Sequence, residues 1–108
     1  MELINKCEDL VIDCYRITNL LPNSENYVLK NQMNRACISI GSNVVEGNSR
    51  KSPKEYLNFL SIAMGSLCEL EFQNNICYRL YNLKIDNNKI VEVKKMINGL
   101  KSYLKSTI

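Results

Sequence analysis

The chain has 108 residues, 45% of them hydrophobic and 23% charged, with 14 Lys+Arg against 11 Asp+Glu for a net charge of +3. It contains no histidine, which excludes Ser-His-Asp and Cys-His nucleophile systems, histidine-ligated metals and the Glu-x-x-His di-iron motif of helical bundles. Four Gly and two Pro are few for a turn-rich sheet protein, and the length predicts one domain spanning residues 1–108. The mild basic excess permits nucleic-acid contact if it is clustered, although a solvated surface is the better default explanation. The opening stretch MELINKCEDL places three acids in its first nine residues and reads as neither signal nor transit peptide. With no apolar run near the roughly 18–20 residues that span a bilayer, the expected location is cytoplasmic. Five cysteines without a C-x-x-C pair read as buried small hydrophobes rather than a zinc site, so neither metal nor cofactor is expected.

In chain order, Leu3, Cys7, Leu10, Cys14, Ile17 and Leu21 recur at spacings of four and three, the stripe of an amphipathic helix. Pro22 and Asn23 stop it. Ser24 is the predicted cap of a second helix, with an apolar face of Tyr27, Met33, Ala36, Cys37, Ile40 and Val44 and an end at Gly47-Asn48. Ser52-Pro53-Lys54-Glu55 is a capping box with proline at the first helical position. From there a third helix runs through Leu57, Leu60, Met64 and Leu67 to about Leu83. Asp86 caps a fourth helix carrying Ile90, Val93, Ile97, Leu100 and Leu104. Short connections favour antiparallel neighbours, which makes the fold all-α, an up-down-up-down four-helix bundle.

Counting antiparallel levels from the turns predicts a cross-helix ion pair between Arg35 and Glu69. It also sets Cys7 level with Cys37, and Cys14 level with Cys68. The tip at residues 44–56 should protrude beyond the terminal helices. Ser39, Asn43, Glu46 and Arg50 form one polar stripe running into that tip. The stripe is either a solvated face or a buried one, against the third helix or another subunit, where Arg50, Lys51 and the free amides at the start of the third helix could partner Glu46. Ala63, Gly65 and Ser66 are small residues in mid-helix, where glycine weakens a helix. They point to a close approach by the second helix or to a subunit interface.

These residues resemble the family of four-helix-bundle proteins encoded within intervening sequences of bacterial 23S ribosomal RNA genes. The resemblance rests on Arg35-Ala36, Ser39-Ile40, Ser42-Asn43, Glu46-Gly47, Arg50-Lys51-Ser52, Glu55-Tyr56, Phe59-Leu60, Ala63, Gly65-Ser66 and Glu69-Leu70-Glu71. It covers the middle two helices closely and the terminal helices by pattern. Gly41 stands where many relatives carry proline, so a bend in the second helix is less enforced here. The resemblance implies a small bacterial homo-oligomer, a ring-shaped homopentamer, related to the accessory protein of diversity-generating retroelements, which associates with a reverse transcriptase and nucleic acid. It also implies an architectural role for Arg35, Ser39, Asn43, Glu46, Gly47, Gly65, Ser66 and Glu69 at the tip and between subunits.

The leading functional expectation is a non-enzymatic oligomeric module that binds RNA or DNA. Arg50, Lys51 and Lys54 at the tip, and Lys94, Lys95, Lys101 and Lys105 on the last helix, are the candidate phosphate contacts. Five copies of a +3 chain would carry about +15, and phosphate attraction grows with such clustering. The aromatics do not interleave with basic residues as single-strand stacking platforms do, so base-specific readout is not expected. The alternative is a protein-interaction scaffold without direct nucleic-acid contact.

Overall fold

A computed structural model describes residues 1–108. Four helices follow in order: α1 (Glu2–Thr18), α2 (Leu29–Asn48), α3 (Pro53–Tyr81) and α4 (Asn87–Ser106), with a 3-10 turn, Asn23–Glu25, between α1 and α2. Each helix packs on its two neighbours around the ring α1–α2–α3–α4, and the diagonal pairs do not meet. This is the up-down four-helix bundle expected from the spacing. The molecule extends 47 × 23 × 20 Å, its length set by the 29 residues of α3, about 43 Å at 1.5 Å per residue.

The predicted stripes form the core: Leu3, Cys7, Leu10 and Cys14 face Met33, Cys37, Ile40 and Val44, with Leu60, Leu67 and Leu70 opposite Ile90, Val93 and Ile97. A fully buried leucine or isoleucine contributes roughly 1.5–3 kcal/mol. Two predicted caps are present. Ser52 Oγ accepts from the Glu55 amide at 3.3 Å, and Asp86 Oδ1 accepts from the Asn88 amide at 2.9 Å. α3 stops at Tyr81, two residues before the expected Leu83, because Asn82 adopts the left-handed conformation at φ 57° that ends helices.

The start of α2 differs from expectation. Ser24 does not cap it; residues 23–25 close a 3-10 turn after Pro22, and the helix begins five residues later, at Leu29. Glu25 supplies the missing acceptor: its Oε1 takes the Leu29 amide at 3.3 Å, while Oε2 accepts the Tyr81 hydroxyl. Tyr27 consequently lies outside the helix and is 91% exposed rather than on the apolar face. α2 runs uninterrupted through Gly41. A Cβ there would sit 3.2 Å from Cys7 Cβ, so this glycine lets α1 and α2 approach closely.

Candidate functional site

The polar stripe of α2 is real, and the structure divides it in two. Its lower half is tied to α3: Ser39 Oγ and Ser66 Oγ share a hydrogen bond at 2.9 Å. Asn43 Nδ2 donates to the Ser39 carbonyl at 2.8 Å and to Ser39 Oγ at 3.2 Å. Asn43 and Ser39 are half-buried, and Ser66 is buried. Its upper half is solvated. Glu46 is exposed, not buried within the chain, and its Oε1 pairs with Arg50 Nη2 at 2.7 Å. The Arg50 guanidinium also lies 5.0 Å from the centre of the Phe59 ring, so one arginine bridges the end of α2 to the start of α3.

Gly47 explains how that tip closes. A Cβ there would fall 2.7 Å from Tyr56 Cδ1 and 2.9 Å from Phe59 Cβ, distances no real side chain tolerates, so the first turns of α3 rest directly on the α2 backbone. Gly65 is the opposite case. A Cβ there would meet nothing within 4 Å, so no close approach by α2 explains it. Arg35 and Glu69 also depart from expectation: they line one shallow groove with Gln32, Ser39 and Ser66 but form no ion pair. Both are exposed, and the Ser39–Ser66 bond already closes the helices beneath them.

The basic candidates divide between the tip, with Arg50, Lys51 and Lys54, and α4, with Lys94, Lys95, Lys101 and Lys105. The Lys94–Glu71 pair, at 2.6 Å, sets the α3–α4 register and places Ser106, the last residue of α4, level with Phe59. The first turn of α3 and the loop before it therefore project beyond α4, as the level count expects. Lys51, Lys54, Lys95 and Lys105 are exposed and Lys101 half-buried, and none has an ion-pair partner. Lys94 is engaged: its hydrogen bond and charge interaction with Glu71 hold its pKa above the usual lysine value. By the Lys94–Glu71 register Lys105 is level with Leu60, Lys101 with Met64 and Lys95 with Leu70, so Arg50, Lys51, Lys54 and Lys105 lie towards one end while Lys101 and Lys95 lie along the middle of the bundle.

Cys7, Cys14, Cys37 and Cys77 are buried free thiols. Cys14 lies next to Cys37, and Cys68, expected at its level, points outward instead. Burial pushes the Cys7 thiol up to about 11. The neighbouring Cys14 thiol, together with burial, pushes the Cys37 thiol up as well. No group of three His, Cys, Asp or Glu side chains converges as metal ligands would.

Two features escaped sequence reading. Asn74, 1% exposed, clamps the α3–α4 connection: Nδ2 donates to the Ile85 carbonyl at 3.1 Å and Oδ1 accepts the Ile85 amide at 2.8 Å. A lone asparagine on a core stripe gives no sign of this partner. The second is an open apolar groove of about 640 Å³ between α2 and α3, lined by Val28, Leu29, Phe72, Ile76 and Leu80 among others. Its signal was present, since Ile62, Phe72, Ile76 and Leu80 form a second apolar stripe on α3.

No helix is long and apolar enough to cross a membrane. A comparison with curated proteins returns no match. Among solved structures, a protein of unknown function from the S23 ribosomal protein family of Bacteroides thetaiotaomicron superposes with a TM-score of 0.67 at 20% identity, covering 98% of this chain and 97% of that one. At that identity the likeness is one of fold. The family model described as 23S rRNA-intervening sequence protein matches residues 1–106, and the chain belongs to that family.

Proposed function

We propose that this chain is a non-enzymatic oligomeric module that binds RNA through its phosphates. The observation that carries the reading is that Lys51, Lys54 and Lys105 lie towards one end of the bundle without ion-pair partners. Lysines held in acid pairs, as Lys94 and Lys6 are, have little left to offer a phosphate. Unpaired ones at one end sum their fields, and oligomerisation multiplies that sum. The ring of five implied by the family resemblance would repeat the patch five times. Gly47 and the Arg50–Phe59 contact give the patch a rigid base.

The test is binding of a structured RNA, followed by fluorescence anisotropy at rising salt. Each phosphate contact contributes about −0.7 to −0.9 to the slope of log K against log salt. Lys51→Glu/Lys54→Glu/Lys105→Glu should flatten that slope and weaken binding at least tenfold, while Lys94→Gln changes it little. Salt-independent binding, or a triple variant that binds as well as wild type, rejects the reading.

The apolar groove beside α3 favours a second reading, a protein-interaction scaffold. Retention of a defined protein partner at high salt, without RNA, would support it.

A further inference from the structure

The seam where α3 meets α4 is charged unlike the rest of the molecule. On α4, Lys94, Lys101 and Lys105 recur at spacings of seven and four, so they share one stripe of the helix. The Lys94–Glu71 pair turns that stripe towards α3. On α3, Lys54, Leu57, Ser61, Met64, Cys68 and Glu71 alternate at three and four, which carries Lys54 onto the flank that Glu71 presents to α4. Lys95, beside Lys94, is exposed at the same level. Five lysines therefore gather around one acid, Glu71, which is already paired. The other acids of these two helices lie on the outer flanks. Glu92 pairs with Lys6 of α1, while Glu55 and Glu69 share the stripe of Phe59 and Ser66 that meets α2. Five lysines against one acid exceed the +3 of the entire chain, so everything outside the seam is, on balance, slightly acidic.

We infer that this seam is the track of a single RNA strand, which lies along the bundle axis with its phosphates on successive lysines. The inference rests on the phosphate-binding reading above and names the form of RNA which that reading leaves open. Lys54, Lys105, Lys101 and Lys95 are the contacts, since none has an ion-pair partner. Lys94, held by Glu71, fixes the seam instead of gripping the strand.

The heights of the lysines carry the argument. By the Lys94–Glu71 register, Lys105, Lys101 and Lys95 stand level with Leu60, Met64 and Leu70 of α3. From Lys54 the steps are six, four and six residues, about 9, 6 and 9 Å at 1.5 Å per residue. A strand rising about 3.4 Å per nucleotide when stacked, and roughly twice that when stretched, passes this row of about 24 Å with about four to seven nucleotides. That lies at the lower end of the range of about 4–16 nucleotides held by one single-strand-binding OB domain.

A duplex suits the row poorly. Its backbones wind, so each leaves a straight line of charges within a few phosphates, and its second strand would lie over Glu55 and Glu69 on one flank or Glu92 on the other. A single strand can keep to the lysines. Beneath it, Leu57, Ser61, Met64 and Cys68 offer no planar ring and no amide, so the strand is held by its phosphates with little preference among bases.

The experiment uses the full-length protein and a labelled eight-nucleotide oligouridylate, followed by fluorescence anisotropy at 50 and 200 mM salt, with unlabelled oligouridylate or a blunt RNA duplex as competitor. Lys95→Gln/Lys101→Gln should lower the salt slope by about 1.4, two contacts at about 0.7 each for a single strand, and weaken binding at the lower salt at least fivefold. Lys30→Gln/Lys84→Gln removes the same charge at the opposite end of the bundle, from the first turn of α2 and the α3–α4 connection, and should leave affinity within twofold of wild type. None of these four lysines is in an ion pair, so helical circular dichroism should match wild type in both variants. Equal losses in the two double variants, or none in the α4 variant, overturn the track and leave RNA binding to the tip or to overall charge. A duplex that displaces the labelled strand at the same or lower concentration than unlabelled oligouridylate overturns the single-strand form. If neither form of RNA binds at 50 mM salt, the track and the phosphate-binding reading beneath it fall together.

Discussion

The two sides of α3 are built from similar residues and do opposite things. The inner side carries Tyr56, Leu60, Leu67, Leu70, Asn74 and Cys77, all buried. The outer side carries Ile62, Gly65, Cys68, Phe72 and Leu80, all exposed. Each has aliphatics, an aromatic and a cysteine. Inside, every large side chain has neighbours in this chain and the lone amide is fully engaged. Outside, a glycine faces open space and a phenylalanine faces solvent. The difference teaches that apolar composition identifies a surface that wants covering, while the partner is decided by which helices arrive.

The sharpest way to break that comparison is paired truncation. Leu70→Ala should destabilise the fold by about 3 kcal/mol, from lost burial and a cavity, whereas Phe72→Ala should change it by under about 0.5 kcal/mol in dilute solution. Equal losses in urea denaturation would mean the outer side is already covered. Asn74→Ala strands the buried amide and carbonyl of Ile85 and should cost about 3 kcal/mol, with hydrogen exchange quickening first around residues 83–87.

The inner thiols make alkaline pH a third probe. Cys7 is pushed up to about 11 from an ordinary 9.0, so between these values the folded state keeps a proton that the unfolded state has released. Stability is therefore complete below pH 9 and falls as pH rises towards 11, by about 2.5 kcal/mol from this thiol alone. Cys7→Ala should shrink that loss, read as a smaller stability difference between urea titrations at pH 8 and 10.5.

Glycines sharpen the contrast further. Gly47→Ala drives a methyl into Tyr56 and Phe59 and should lose about 2 kcal/mol. Gly65→Ala meets nothing and should gain about 0.5–1 kcal/mol of helix stability in dilute solution. The two thermal midpoints should thus move in opposite directions.

Much of this was legible. Heptad-like spacing around Cys7, Leu10 and Cys14, and the Ser52-Pro53-Lys54-Glu55 box, reported helices and their ends because both depend on local chain geometry. The start of α2 was misread because Ser24 is an excellent cap in isolation, and only Tyr81, 56 residues away, makes Glu25 the better acceptor. Level counting predicted an Arg35–Glu69 ion pair; the two side chains line one groove but do not pair. Whether they pair depends on side-chain direction and solvent, which a level does not contain.

By itself, then, the sequence determined four helices, their antiparallel order, the core stripe and a polar line entering the tip, all consequences of period and turn chemistry. Tertiary structure alone decided that Gly47 is a seam and Gly65 an opening, that Glu46 is solvated while Asn43 is tied down, and that α3 has a second apolar side left bare. The physical reason is that a residue type states which atoms are offered or missing. Only the arrival of a distant backbone determines whether a missing Cβ or an offered amide meets a neighbour, and its position comes from the packing of the whole bundle.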